Sequence, residues 1–430
     1  MSEDLNTVNP HYLDRAIDLG ERYEVCASED IYDANGMKLL AKGATLTPAM
    51  QERLIRHKLH KPLETSLSVV DGVTIEVVLD VARQLFDESP PLQACADPAS
   101  AKAAPLEVLA RIGLNNSMTT LLTMSYKSEG QRHFKHTVLV GLIATMLAMR
   151  ARLSHDEVLA VAHAGLLHDI GEMYLDPAYL QSGSHLKPEE WKHIVVHPKV
   201  GQLVLTEMTP YPVKVAKAVG EHHERLDGSG YPHRFANKQI SREGSIVATA
   251  ETLGGIFMRP DNPLQRAFLA LKIIPGEFAQ EIVSIVSSIA QSAPDGLAAE
   301  NIRSLADQTP RLKTLHQKLE SALAQCDAIA VSPLANKKSA LDAQQRVSDR
   351  IEVIKRSLAS SGVGTCLLEP QRVIEDDMRP EILLELEVVS WELEWRLRDI
   401  ARDLVLHFPR QDEEISTLFG ELIETLDKLD

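Results

Sequence analysis

The sequence predicts a mainly α protein, with a small β-containing module ahead of a helical core and a helical bundle behind it. Three observations carry this. Apolar residues recur at helical spacing over most of the chain. Leu, Ala, Ile and Val are abundant, while aromatic residues make up only 4%. Strand-like runs with a hairpin signal are confined to the first 70 residues. At 430 residues the chain is long enough for two or three domains.

Residues 1–70 form the small α+β module. RYEVCA and DIYDANGMKLLAKG read as short strands, and Asn35-Gly36 between apolar runs predicts a two-residue hairpin turn. Thr47-Pro48 then opens a helix, with a polar cap and proline at the first position. Residues 71–105 are a helix and a linker, the linker marked by the Pro-, Ala- and Ser-rich run DESPPLQACADPASAKAA at 88–105.

Residues 106–295 read as an all-helical domain. Val138, Leu142, Met146 and Met149 share a helix face, and Ser154 with Glu157 forms a capping box ahead of the next helix. Residues 296–430 are an acidic helical region. Leu312, Leu315, Leu319 and Leu323 make one apolar face. Leu386, Leu393 and Ile400, with Leu383, Leu397 and Leu404, keep a seven-residue spacing, but Ser390 interrupts the seam. A helical bundle fits this better than a coiled coil. Its surface offers a place for a second copy of the chain or a protein partner.

The formal net charge of -16 argues against nucleic acid bound through phosphates. Residues 369–430 alone hold 18 acidic and 7 basic side chains, a balance of -11. Cys26, Cys95, Cys326 and Cys366 are scattered without a CxxC pair, which predicts neither a cysteine zinc site nor a disulfide framework. The opening MSEDLNTVNP lacks the basic and apolar regions of a signal peptide. The longest apolar run, 138–149, is shorter than the roughly 20 residues a membrane helix needs. A cytoplasmic protein with no membrane partner is expected.

Eleven of the sixteen histidines lie between 133 and 233. His133, His155, His163, His185, His193 and His233 stand alone and read as structural or solvated. The others come with partners: His136, then His168-Asp169, His197-Pro198 and His222-His223. Neutral imidazole and carboxylate are ligands that Zn, Mn and Fe accept. Two neighbouring imidazoles such as His222 and His223 can reach one metal where a helix ends, and the Asp227-Gly228-Ser229-Gly230 turn supplies such an end.

HDIG at 168–171, HP at 197–198 and HHERLDGSGYP at 222–232 resemble the HD-GYP family of the HD phosphohydrolase superfamily. The resemblance covers roughly 106–290. It implies an all-helical HD-type core that hydrolyses cyclic di-GMP, a bacterial second messenger, through a water activated by two divalent metals (Fe, Mn or Zn). By motif it places His136, His168, Asp169 and Glu251 on one metal and His197, His222 and His223 on the other, with Asp169 bridging. It makes Asp169 and His168 the catalytic pair. Tyr231 of the signature, Arg259 in FMRPDNP and Arg225 in the signature loop are the candidate substrate contacts.

The chain departs from the family pattern at three places. HDIGE replaces HDIGK, so Glu172 stands where a lysine would meet phosphate. The later carboxylate is Glu251 rather than aspartate, and its extra methylene shifts the oxygens by about 1.5 Å. Arg132 stands where members with three metals carry a glutamate, so two metals are expected. The first two departures leave a rival reading open. In it, a catalytically impaired HD-GYP module binds metal or nucleotide and signals as a scaffold.

Overall fold

The computed structural model describes residues 5–101, 103–127, 131–181, 186–259, 261–292, 301–332, 338–360, 379–407 and 413–428. Helix accounts for 68% of it and strand for 4%, so the mainly α class holds. The chain divides into two compact units. The first comprises 1–184, 193–259 and 278–289; the second comprises 185–192, 260–277 and 290–430. Thus the composition changes near 70 and 105 fall inside the first unit, and only that near 295 lies close to a change of unit.

In the first unit, Asn9 caps α1 (Pro10–Gly20): its side chain accepts the Tyr12 amide at 3.0 Å, and proline takes the first helical position. Strand β1 (Val25–Ala27) is followed by β2 (Ile31–Tyr32), β3 (Lys38–Leu40) and β4 (Leu67–Val69). β1 pairs antiparallel with β4, and β2 with β3. The β2–β3 turn is one residue longer than the sequence suggests. Asp33 and Met37 close the hairpin, and Gly36 takes the left-handed conformation at φ 85°. Asp33 explains the extra residue, because its Oδ1 accepts the amides of both Asn35 and Met37.

Helix α2 (Ile75–Glu88) leads to α3 (Asn116–Lys127), which packs on β4 and α1. Ser117 Oγ donates to the Glu64 carbonyl, and Thr123 Oγ1 accepts the Val73 amide. These bonds seat the small module on the helical core.

The core is built around α4 (Arg132–Arg150), whose residues 137–148 are all buried. The apolar run seen in the sequence is therefore a core helix. Among the described residues, no helix is long and apolar enough to cross a membrane. α5 (His155–Leu167) and α8 (Arg242–Phe257) pack on α4, while α6 (His197–Met208) and α7 (Val213–Glu221) complete the core. The Ser154–Glu157 capping box is present: Glu157 Oε2 accepts the Ser154 amide at 2.8 Å.

In the second unit, helices Leu305–Ala330, Lys338–Ser360, Pro380–His407 and Glu413–Asp427 share one apolar core. Leu386, Leu393, Leu397, Ile400 and Leu404 all point into it, which makes the seven-residue pattern a bundle face. Ser390 fits there because its hydroxyl donates to the Leu386 carbonyl at 2.6 Å. Arg396 pairs with Glu277 at 2.5 Å and with Glu392 at 2.8 Å, which offsets part of the acidic surplus. Cys26, Cys95 and Cys326 are free thiols; Cys366 lies outside the described residues.

Candidate metal centre

Helix ends supply most of the candidate ligands. His168 caps the end of α5, and Asp169 follows it into a 3-10 turn at Ile170–Tyr174. His197 opens α6 with Pro198 behind it, a position where proline costs no hydrogen bond. His222 caps the end of α7, and His223 comes next. His136 and Glu251 come from within α4 and α8.

Two glycines permit this assembly. A Cβ on Gly171 would lie 2.1 Å from the His197 carbonyl oxygen, so only glycine lets the turn after Asp169 meet the start of α6. A Cβ on Gly230 would lie 2.4 Å from both the Arg225 nitrogen and the His223 oxygen, so the signature loop closes only on glycine. The Tyr231–Pro232 peptide is cis.

The seven metal-ligand candidates gather into two sets that share Asp169. One is His136, His168, Asp169 and Glu251; the other is Asp169, His197, His222 and His223, each with ligand atoms within 4.8 Å of one another. The two oxygens of Asp169 divide between them. Oδ2 lies 2.8 Å from His168 Nε2, whereas Oδ1 lies 3.4 Å from His197 Nε2 and 3.6 Å from His222 Nε2. Glu251 Oε2 is 2.9 Å from the Nε2 atoms of both His136 and His168. The longer side chain thus reaches the position the motif assigns to it.

The imidazoles are aimed by main-chain carbonyls. Nδ1 of His168, His197 and His222 donates to the carbonyl three residues earlier, at 2.9, 2.8 and 2.6 Å. Each Nε2 then carries a lone pair pointing into the site. His168 Nε2 is buried and lacks a hydrogen bond despite its two close carboxylate oxygens, because the geometry is wrong for one. His197 and His222 face each other Nε2 to Nε2 at 3.1 Å. At this distance a proton on one ring or a cation held by both satisfies the pair. The donor set and its orientation fit a divalent metal of the N/O-binding kind.

Electrostatics sets His222 and His223 apart from the other imidazoles, since at His197, as at His168, burial is outweighed by the neighbouring carboxylates and the pKa is raised. Burial opposes charge on His168, but Asp169 and Glu251 outweigh it and hold its pKa well up. For His136 burial is likewise outweighed, by Glu251. Burial pushes His222 down to about 4, and burial with the charge of His222 pushes His223 well down. A cation competes with protons at the first set and meets neutral rings at His222 and His223.

Glu172, singled out in the sequence as the residue in place of a phosphate-facing lysine, lies in one ligand group with Asp169. Burial, and then the charge of Asp169, push its carboxyl up to about 8. His133, read as structural from the sequence, lies 3.3 Å from it through Nε2. Glu221 accepts the Ser241 amide at 3.0 Å and so ties the end of α7 to the cap of α8. Glu224 accepts the His233 and Phe235 amides at 2.7 and 3.0 Å, which holds the signature loop. The signal for both was available: acidic residues flank the histidine pair in EHHE, though acidic residues near helix ends are usually solvated.

The substrate-contact candidates separate. Tyr231 lies on His223 with ring centroids 4.6 Å apart and 22° between planes. Arg259 follows the end of α8 and is exposed. Arg225 lies on the inner side of the signature loop. It is buried, donates to the Glu224 carbonyl at 3.0 Å and to Thr252 Oγ1 at 3.3 Å, and covers the Phe278 ring. Its guanidinium serves the inside of the loop and has no open face for substrate. Arg132 is exposed.

Residues 118–277 match the family model of the HD domain. Over that stretch the chain is similar to the HD domain family. Its HDIG, HP and HHERLDGSGYP motifs resemble those of the HD-GYP family. A cyclic di-GMP phosphodiesterase of Thermotoga maritima is 26% identical over 181 residues, covering 41% of this chain and 49% of that protein. The 3'3'-cGAMP-specific phosphodiesterase 3 of Vibrio cholerae is 30% identical over 116 residues, covering 27% of this chain and 25% of that protein. A cyclic di-GMP phosphodiesterase of Pseudomonas aeruginosa is 29% identical over 159 residues, covering 37% of each. The chain thus spans between a quarter and a half of the length of these curated relatives.

Proposed function

We propose that this HD domain is a metal-dependent phosphodiesterase acting on cyclic di-GMP, within bacterial second-messenger signalling. One observation carries the reading. Two sets of ligand atoms face each other across a single carboxylate, with one oxygen of Asp169 turned to each. Such an arrangement suits a bridging ligand between two divalent ions. Relatives named as cyclic di-GMP and 3'3'-cGAMP phosphodiesterases support the substrate class.

His136, His168, Asp169 and Glu251 would hold one ion, and Asp169, His197, His222 and His223 the other. When bound, two such ions neutralise a phosphodiester and lower the pKa of a water from 15.7 toward roughly 7. The chain's own residues do the rest. The carbonyls of Gly165, Ile194 and Val219 fix the imidazole tautomers. Tyr231 backs His223 and offers a flat apolar wall beside the site. Arg259, exposed after α8, is the candidate to meet a phosphate oxygen by a charge-assisted hydrogen bond.

A rival reading keeps support from one observation: Glu172 adds a carboxylate next to Asp169, where an anionic substrate would approach. In that reading the domain binds metal or nucleotide and signals without turnover. The deciding experiment is metal analysis of anaerobically purified protein together with hydrolysis assays on cyclic di-GMP and 3'3'-cGAMP. Turnover of cyclic di-GMP by metal-loaded protein supports the enzyme. Full metal load with nucleotide binding and no hydrolysis of either supports the scaffold.

A further inference from the structure

We propose that His133 and Glu172, together with Asp169, form a third cation subsite beside the two shared sets. This rests on the metal-binding reading above. The three residues present ligand atoms within 4.8 Å of one another. His133 Nε2 and Glu172 Oε2 are 3.3 Å apart.

Local structure dictates the meeting. His133 sits three residues before His136 on α4, so the two side chains share a helix face. Glu172 sits three residues after Asp169 in a 3-10 turn, where side chains at i and i+3 eclipse. One turn of α4 and one turn after α5 thus each carry an inner and an outer ligand. Both outer side chains keep some solvent contact, with His133 29% and Glu172 15% exposed, whereas His168 has none. The subsite is therefore reachable after the inner set has formed.

Chemistry favours a cation there. Glu172 and Asp169 share one pocket, where two negative charges repel, so either a proton on Glu172 or a cation between the two relieves them. Arg15 is nearby, but its Nη1 is committed to the carbonyls of Met173 and Leu175 at 3.1 and 2.6 Å. One imidazole with two carboxylates suits Mn²⁺ or Fe²⁺. Three protein ligands leave open positions where a phosphate oxygen can bind. A cation held here would restore, next to the phosphodiester, positive charge that Glu172 by itself removes. The expectation of two metals rested on position 132, yet the histidine that turns toward Glu172 is one residue further along the same turn.

The test uses the full chain, stripped and reloaded with Mn²⁺, with metal per chain measured by plasma mass spectrometry. The wild type should hold three equivalents, and His133→Gln and Glu172→Gln two each. Crystals of the wild type should show a manganese anomalous peak between His133 and Glu172, which needs no variant to fold. A wild type that holds two equivalents with no such peak overturns the third subsite and leaves the two-metal reading standing. A wild type that holds fewer than two overturns both. Loss of every metal from Glu172→Gln, with the fold intact by circular dichroism, also overturns the proposal, because Glu172 would then belong to the inner sets.

Discussion

Glu251 Oε2 stands 2.9 Å from His168 Nε2, although glutamate is one methylene longer than the aspartate its position normally carries. The helix accommodates the extra length. A Cβ on Gly254, one turn on, would lie 2.6 Å from Val140 Cγ2 and 3.2 Å from His136 Cε1. The small residue leaves room for the imidazole that shares Glu251.

Glu251→Gln should weaken one metal by at least about 10- to 100-fold, the loss typical even of an outer-shell partner. Asp169→Ala, which removes the residue common to both sets, should remove both. Calorimetric titration with Mn²⁺ checks the first, and elemental analysis the second. An Asp169→Ala protein that still holds two tight equivalents would refute the bridging role.

Glu224→Ala should loosen the signature loop. It deletes a buried carboxylate that accepts two backbone amides. Hydrogen bonds to a charged group are worth about 1.5–3 kcal/mol each, so a loss near 3 kcal/mol is expected. Glu224→Gln, which keeps one acceptor, should lose about half as much. Thermal unfolding gives the energies, and faster proteolysis within 224–236 shows where the loss falls.

Arg225 and Arg259 should behave oppositely. Arg225→Ala strips donors from buried oxygens and should cost about 1–3 kcal/mol of stability. Arg259→Ala should change stability by less than about 0.5 kcal/mol, as for most surface positions, while weakening cyclic di-GMP binding. A Tm series beside nucleotide affinity separates them. Equal effects of the two on affinity, at unchanged Tm, would return Arg225 to the substrate.

Glu64 gives the fold a pH dependence of its own. Burial beside Tyr12 and Tyr174 raises its carboxyl from 4.5 to about 7. The folded protein then keeps the proton between those values while the unfolded chain releases it. Stability is fullest below about 4.5 and falls as pH rises to about 7, by about 3 kcal/mol in all. Glu64→Gln should flatten this limb, so the variant should gain in Tm relative to wild type at pH 8 and not at pH 4.5. Parallel Tm–pH curves for the two proteins would show that Glu64 is not the source.

The ligand candidates were legible because their spacing is local: HD, HP and HH each place side chains at a helix end, and a motif records that. Periodicity marked α4 and the C-terminal bundle equally well. What the sequence hid depends on contacts across long separations. Glu172 and His133 are 39 residues apart, and nothing in either neighbourhood announces the other. Arg225 looked like a phosphate contact because sequence shows charge and not burial. The hairpin ran one residue long because Asp33 bonds two amides that a turn dipeptide does not reveal.

Three of the imidazoles take their aim from peptide oxygens of Gly165, Ile194 and Val219 rather than from side chains. A carboxylate support can be lost by one nucleotide change; a carbonyl of the main chain cannot. As long as the last turn before each histidine stays wound, Ile194 and Val219 can vary in residue type without disturbing the tautomer, whereas Gly165 is held by packing, since a Cβ there would lie 2.9 Å from Ala144 Cβ and 3.0 Å from the Gly141 Cα. The centre is thus buffered against drift at Ile194 and Val219, and its exposure to mutation is concentrated in the ligands and in the glycines that let them meet.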